Sequence, residues 1–215
     1  YTMEKKRIDE YRLAIRKVQE KYQDIIDVRM GIEIEYIPEY RFWIYSIAQM
    51  QWDVKIVSIH SLIKSGEPYM VNGNISEFKR LLSVYDHDYD RLCFDYYSIF
   101  QEACNTGWFD VAGHMDVLKK HFPDRNYFTD NASFYNTLVL DTLGIISKHG
   151  MKMEVNMSGL NHPFQEQYPS LWIVRQALEM GIEVVPSSDS HSKETIGQYF
   201  QLLKSSIEKK TVLVT

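Results

Sequence analysis

The stretch of residues 27–34 reads DVRMGIEI, and it sets the pattern on which the fold prediction depends. It is short and contains β-branched side chains, which favours a strand over a helix. The preceding residues 8–22 place apolar side chains three and four positions apart, the spacing of an amphipathic helix. The chain therefore opens with a helix that is followed by a short apolar strand.

The same alternation continues along the chain. Further strands are predicted at residues 54–59, 109–112, 152–156 and 182–186. Helices are predicted between and after them, at residues 39–51, 75–84, 91–105, 132–149, 170–180 and 193–208. Strands that alternate with helices form parallel βα units, so the sequence predicts an α/β fold with five parallel strands. This alternation fits either a doubly wound sheet or a (β/α) barrel.

Composition narrows the class of protein. The chain has 215 residues, of which 45% are hydrophobic and 25% charged, and this predicts one globular domain over residues 1–215. The formal net charge is −5 and no basic patch stands out, so nucleic acid is not expected as a partner. No apolar run reaches membrane-spanning length and the opening residues lack the apolar core of a signal peptide. We therefore expect a cytoplasmic protein that does not bind membranes.

Side chains that can bind metal ions lie on or directly after the predicted strands. They are Glu33, His60, His114, Asp189 and His191. The carboxyl ends of parallel strands meet at one edge of a sheet, and carboxylates and imidazoles are ligands for Zn²⁺, Mn²⁺ or Fe²⁺. Any one of them could be an ordinary surface residue, and residues 189–191 could form a turn and a helix cap. Glu33 lies among apolar residues, where an unpaired carboxylate is costly, so the set as a whole predicts a metal site.

Five short motifs in this region resemble the PHP (polymerase and histidinol phosphatase) family, and within it the histidinol-phosphate phosphatase branch. They are residues 31–38 (GIEIEYIP), 58–60 (SIH), 109–116 (FDVAGHMD), 154–160 (EVNMSGL) and 187–191 (SSDSH). Their order and spacing match over nearly the whole chain. The resemblance implies a distorted (β/α)7 barrel, up to three divalent metal ions (Zn, Mn or Fe), and hydrolysis of L-histidinol phosphate in histidine biosynthesis.

The resemblance also implies individual roles for the strand-end residues. Glu33 would bridge two metal ions, and His60 and His114 would complete one of those two sites. Asp189 would share the other metal ion with Glu33, and it could also orient the attacking water or accept its proton. His191 would bind the third ion.

One part of the family pattern is missing from this sequence. The family opens with an HxH motif on its first strand and an aspartate–histidine pair on its second, and neither is present. The resemblance therefore implies a chain that lacks the first two βα units and holds about one fully ligated ion, at Glu33, His60 and His114. An open five-stranded sheet would expose two edges, so self-association is a further expectation.

A small phosphate ester is the expected partner, and four residues are predicted to contact its phosphate. These are Lys64, Lys119, Asn156 and His162. The polar stretch of residues 121–130 is a candidate lid. Three alternative functions remain open: an enzyme acting on another phosphate ester, a non-catalytic PHP-like domain, and an amidohydrolase-type barrel. The last ranks lowest, because such enzymes usually carry a lone aspartate on the final strand.

Overall fold

The computed structural model describes residues 3–203. Within this range the strands are β1 (Gly31–Glu35), β2 (Val54–Ser58), β3 (Ser61–Lys64), β4 (Glu67–Met70), β5 (Val111–Ala112), β6 (Lys152–Asn156) and β7 (Val184–Ser187). The α-helices are α1 (Ile8–Tyr22), α2 (Arg41–Ala48), α3 (Ile75–Val84), α4 (Tyr89–Asn105), α5 (Ser133–Lys148) and α6 (Leu171–Glu179). None of the helices in residues 3–203 is long and apolar enough to cross a membrane.

Five strands form one parallel sheet in the order β1-β2-β5-β6-β7. The predicted α/β fold with a parallel sheet is confirmed. All five predicted strands are found, β6 with the predicted bounds and the other four with shifted ends. Within the described residues the sheet is open, with β1 at one edge and β7 at the other. A closed barrel is therefore not seen in residues 3–203.

The sequence prediction missed the antiparallel hairpin of β3 and β4. A two-residue loop joins these strands, and both of its residues, Ser65 and Gly66, have positive φ angles of 53° and 81°. Two positive φ angles are the requirement of the type I′ turn, whose twist suits a hairpin. The serine–glycine pair was the available signal for this turn.

The predicted helix over residues 193–208 is wrong over most of its described part. A 3-10 turn covers Lys193–Thr195, and α-helical structure begins only at residue 200. Gly197 and Tyr199 have φ angles of 71° and 63°, a left-handed backbone that interrupts a right-handed helix. Residues 204–208 of the prediction lie outside the described part of the chain.

The sheet packs against helices through one apolar core. Its largest members are tyrosines and phenylalanines, many of them on α4 and α5, where Tyr96, Tyr97, Phe100 and Tyr135 are fully buried. Burying a large aromatic side chain stabilises the fold by roughly 2–3 kcal/mol relative to leaving it exposed. The core fixes the strand ends relative to each other, and this positions the side chains that lie on or directly after the strands.

Glycine at position 113 allows two strand ends to approach closely. A Cβ atom there would lie 2.8 Å from the carbonyl oxygen of Val57 and 2.9 Å from a methyl group of Ile56. Because any side chain would push β5 away from β2, glycine is needed directly before His114. The tight approach brings His114 beside His60.

Candidate metal centre

The structure brings together three of the predicted ligands, Glu33, His60 and His114. Glu33 lies on β1, and His60 and His114 lie two residues after the neighbouring strands β2 and β5. One ligand atom from each residue lies within 4.8 Å of the others. The two Nε2 atoms of the histidines are 2.9 Å apart. Oε1 of Glu33 lies 3.4 Å from Nε2 of His60 and 3.7 Å from Nε2 of His114. Among the described residues this is the one group of three or more such side chains.

The two distances from Glu33 suit a shared ion, and the two Nε2 atoms, 2.9 Å apart, would have to separate by about half an ångström to bind it together. Nitrogen and oxygen ligands bind Zn²⁺ at about 2.0–2.2 Å, so ligand atoms around one tetrahedral ion lie roughly 3.3–3.6 Å apart. Two imidazoles and a carboxylate with open positions form a donor set that Zn²⁺, Mn²⁺ and Fe²⁺ accept. The three residues therefore fit a divalent metal ion, and we call Glu33, His60 and His114 the metal triad.

Neighbouring residues hold two members of the metal triad in place. Glu154 on β6 accepts a hydrogen bond from Nδ1 of His114 at 2.9 Å and from its backbone N–H at 2.7 Å. This pairing turns Nε2 of His114 toward the other two ligands, as carboxylates beside metal-binding histidines do. Ser58 donates its hydroxyl hydrogen to Glu33. Sequence reasoning missed the role of Glu154, although a carboxylate inside a buried strand always requires a partner.

The pKa values of the two histidines of the metal triad are shifted in opposite directions. Burial opposes the charged form of His114, but the hydrogen bond and charge of Glu154, with Glu33 and Asp189, raise its pKa to about 9. Burial and the nearby charge of His114 lower the pKa of His60. The pKa of Glu154 is lowered, because its hydrogen bonds with His114 outweigh its burial. One imidazole of the metal triad thus holds a proton that a divalent cation would have to replace.

Asp189 and His191 lie together but outside the metal triad. Oδ2 of Asp189 accepts hydrogen bonds from the side chains of Asn156 at 3.1 Å and Ser158 at 3.4 Å. Asn156 also lies beside Glu154, with its Nδ2 atom 3.5 Å from Oε1, so it connects Asp189 to the carboxylate that holds His114. Nδ1 of His191 is 3.0 Å from the backbone oxygen of Asp189, and the His191 side chain is 64% exposed.

Two of the predicted phosphate-binding residues are committed elsewhere. The Lys119 side chain is fully buried, and its ammonium group contacts Asp116, Glu166, Ser170 and the backbone of Gln167 at 2.6–3.0 Å. Its predicted phosphate contact is therefore corrected: Lys119 is a structural cation. It ties the loop after β5 to the segment before α6, because Asp116 also accepts hydrogen bonds from Ser170. A buried charge is tolerated only when paired in this way.

Lys64 is likewise engaged, since it forms an ion pair with Asp95 and lies 4.7 Å from the ring centre of Tyr85. This pairing argues against its predicted phosphate contact.

Asn156 and His162 have different environments. Asn156 is buried, accepts hydrogen bonds from the backbone and hydroxyl of Ser158, and donates to Asp189. Its predicted phosphate contact is replaced by a role in positioning Asp189. His162 stacks on Tyr168 with ring centres 6.2 Å apart, and it lines an open cleft. Of the four residues predicted to bind phosphate, it alone lines this cleft.

Comparisons with known proteins agree with this architecture. No family model matches the sequence. The chain is 30% identical over 206 residues to a Deinococcus radiodurans protein named "Probable histidinol-phosphatase", covering 93% of this chain and 71% of that one. The solved structure of HisK from Listeria monocytogenes matches with a TM-score of 0.76 at 20% identity, over 93% of this chain and 77% of that chain.

A second solved structure shares the fold at lower identity. Histidinol phosphate phosphatase from Lactococcus lactis, complexed with zinc, L-histidinol and phosphate, matches with a TM-score of 0.64 at 14% identity. That match covers 96% of this chain and 75% of the Lactococcus chain.

The fold and the metal triad define an α/β protein with a divalent-metal centre at the carboxyl edge of its sheet. The similarity to the Deinococcus protein resolves the class further, and the chain belongs to the histidinol-phosphatase family. This is a family of phosphoric monoester hydrolases.

Proposed function

We propose that this chain hydrolyses L-histidinol phosphate to L-histidinol and phosphate, with a divalent ion held by Glu33, His60 and His114. The observation that carries the proposal is the metal triad itself, three ligand atoms within 4.8 Å on neighbouring strands of a histidinol-phosphatase relative. Zinc is one candidate, because the Lactococcus protein of the same fold was solved with zinc, L-histidinol and phosphate.

Each residue of the metal triad has a defined task. Glu33, fixed by Ser58, supplies the negative charge, and His60 and His114 supply neutral imidazole nitrogens. Glu154 keeps the hydrogen of His114 on Nδ1, so that Nε2 can bind. When bound, a divalent ion supplies positive charge for the phosphoryl oxygens and lowers the pKa of water from about 15.7 toward roughly 7.

Asp189 is the residue that we assign to proton transfer. Its carboxylate is positioned by Asn156 and Ser158 and is 36% exposed, so water can reach it. A carboxylate at this position can orient the attacking water and accept its proton. Asp189 and His191 can also contribute to further metal sites, as the PHP pattern implies, although neither belongs to the metal triad. About one ion per chain is therefore proposed as fully ligated.

The proposal is tested by phosphate release from L-histidinol phosphate after loading with Zn²⁺, Mn²⁺ or Fe²⁺. Glu33→Gln should abolish release, and the exposed Glu183→Gln, which removes a carboxylate remote in sequence from the metal triad, serves as the control. If the chain releases no phosphate after loading with each of the three ions in turn, the proposal is contradicted.

A second candidate function is hydrolysis of another small phosphate ester. The cleft lined by His162, Lys120 and Arg125 has no carboxylate among its lining residues, so it offers no ion-pair partner for the ammonium group of histidinol. Comparing kcat/KM for histidinol phosphate with that for an uncharged ester separates the two candidates. A preference for the uncharged ester would favour the second.

We also propose how the chain is organised. Residues 1–215 belong to one domain of a cytoplasmic protein, and its sheet is part of a PHP-type (β/α)7 barrel. The parallel strand order β1-β2-β5-β6-β7 supports this proposal. Beside the β1 edge of the sheet, α2 exposes Phe42 by 86% and Trp43 by 46%, so we propose self-association there. Light scattering should show oligomers that weaken in Phe42→Ser, whereas a monomer at all concentrations would contradict this.

A further inference from the structure

A second polar site lies among the loops that follow β5 and β6 and the segment that precedes α3. Three separate segments enclose a cleft of about 740 Å³: residues 73–75 at the start of α3, residues 120–125 after β5, and residues 162–164. Four basic side chains line it, namely Lys120, His121, Arg125 and His162. No carboxylate is among the residues that line it. We call this the basic cleft.

Backbone carbonyl groups hold the basic side chains in place. The ammonium group of Lys120 donates to the carbonyl oxygen of Asn72 at 2.7 Å, and Nε2 of His121 donates to that of Gly73 at 2.9 Å. The capping box of Asn74 and Glu77 fixes this corner of the chain. Since a carbonyl oxygen uses one of the three ammonium hydrogens, Lys120 retains donors for a ligand.

The opposite wall is fixed in a similar way. Arg125 donates from Nη2 to the carbonyl oxygen of Pro163 at 2.6 Å, and its guanidinium group lies 4.8 Å from the ring centre of Phe164. His162 is held against Tyr168. The donors therefore approach one space from different loops, an arrangement that matches the several acceptor oxygens of a tetrahedral anion.

Charge in the basic cleft is only partly compensated. Burial, followed by the charges of Lys120 and His121, lowers the pKa of His162, whereas Asp189 raises it. Burial also lowers the pKa of Lys120, whereas the negative charge of Glu77, in the capping box of α3, acts to raise it. Burial likewise lowers the pKa of His121, so Lys120 and Arg125 carry the positive charge of the basic cleft near neutral pH. A bound anion would offset that charge and favour protonation of the two histidines.

From this geometry we infer that the basic cleft is a phosphate-binding subsite, distinct from the metal triad, formed by Lys120, His121, Arg125 and His162. Its ligand is a phosphate dianion, either inorganic phosphate or the phosphoryl group of an ester. The apolar side chains of Ile75 and Phe164 leave room beside it for the organic part of an ester. Phosphate binding here does not depend on the proposed hydrolysis.

The subsite also has a place in the reaction, and this part rests on the proposed function. His162 directly follows the 3-10 turn Met157–Asn161, and Asn156 and Ser158 at the start of that turn bind Asp189. One short segment therefore connects the basic cleft to the carboxylate that we assign to proton transfer.

The test is calorimetric titration of the full chain with inorganic phosphate, in a Glu33→Gln background that weakens the metal triad. We expect binding to persist there and to weaken at least tenfold in Lys120→Met/Arg125→Met. Lys17→Met/Lys148→Met, which removes two charges from exposed helix positions, should change affinity less than about twofold. Lys120→Arg should retain binding. Ring signals of His121 and His162 should shift during the titration.

The inference would be overturned if phosphate bound equally well to the Lys120→Met/Arg125→Met variant and to the Lys17→Met/Lys148→Met control. It would also be overturned if Glu33→Gln alone removed all phosphate binding. Titration with methyl phosphate distinguishes the two sources of the ligand. Tighter binding of the ester than of inorganic phosphate identifies a substrate subsite, and the reverse identifies a product subsite. Phosphate binding without ester hydrolysis would refute only the proposed function.

Discussion

The metal triad and the Asp189–His191 pair both lie at the carboxyl-terminal ends of the parallel strands, yet their surroundings differ. His114 is 6% exposed and is fixed by two hydrogen bonds to Glu154, whereas the His191 side chain is 64% exposed. Glu33 lies on β1, His60 and His114 follow β2 and β5, and the pair follows β7, so the two regions differ in their supporting contacts and exposure. Supporting hydrogen bonds hold ligands in a binding geometry before the ion arrives, and this lowers the cost of binding it.

The largest effect should follow from removing a member of the metal triad. Glu33→Gln or His114→Asn takes away one of three ligands, so metal affinity should fall by more than about 100-fold. This loss exceeds the roughly 10–100-fold that usually follows when a residue that only supports a ligand is removed. Competition with a chelating dye measures the affinity. An unchanged affinity in both variants would place the ion elsewhere.

A pH series should show the next largest effect. A proton and a metal ion compete for the ring of His114, whose pKa is raised to about 9, so below that pH binding must displace a proton. Apparent metal affinity should therefore rise about tenfold per pH unit between pH 7 and 9, and level off above. His114→Asn should flatten the slope, and a wild-type affinity that is constant over this range would contradict the account.

Removing the support of His114 should have a smaller effect. Glu154→Gln keeps the side-chain size but loses the charge that orients the imidazole, so metal affinity should fall by about 10–100-fold. Ser58→Ala tests the support of Glu33 in the same assay. If Glu154→Gln bound metal as tightly as the wild type, preorganisation of His114 would not explain the difference between the two regions.

The smallest effect on metal affinity should come from the exposed pair. Asp189→Asn and His191→Ala should change the affinity of the metal triad by less than about threefold, because neither side chain belongs to it. Phosphate release should nevertheless fall in Asp189→Asn, since this carboxylate is proposed to accept the proton of the attacking water. An affinity loss in Asp189→Asn as large as in Glu33→Gln would show that the two regions form one site.

Much of this arrangement could be predicted from the sequence. The alternation of short apolar segments with amphipathic helices indicated the parallel sheet, and a parallel sheet necessarily gathers its strand ends at one edge. Glu33, His60 and His114 were therefore named in advance, and the structure brings them together.

Other features depend on long-range contacts that the sequence does not display. Lys119 was predicted to meet phosphate, but packing of the loop after β5 against residues 166–170 buries it beside Asp116. Glu154 received no role because its partner is 40 residues away. The basic cleft unites three distant segments, so its lysine and arginine resembled ordinary surface charges until they were placed in space.

The most direct test of the central claim is the metal content of the purified 215-residue chain, measured by elemental analysis beside Glu33→Gln and Asp189→Asn. The account predicts about one equivalent of Zn, Mn or Fe per chain, retained in Asp189→Asn and lost in Glu33→Gln. A chain that takes up no metal after reconstitution, or that holds three tightly bound ions, would contradict it.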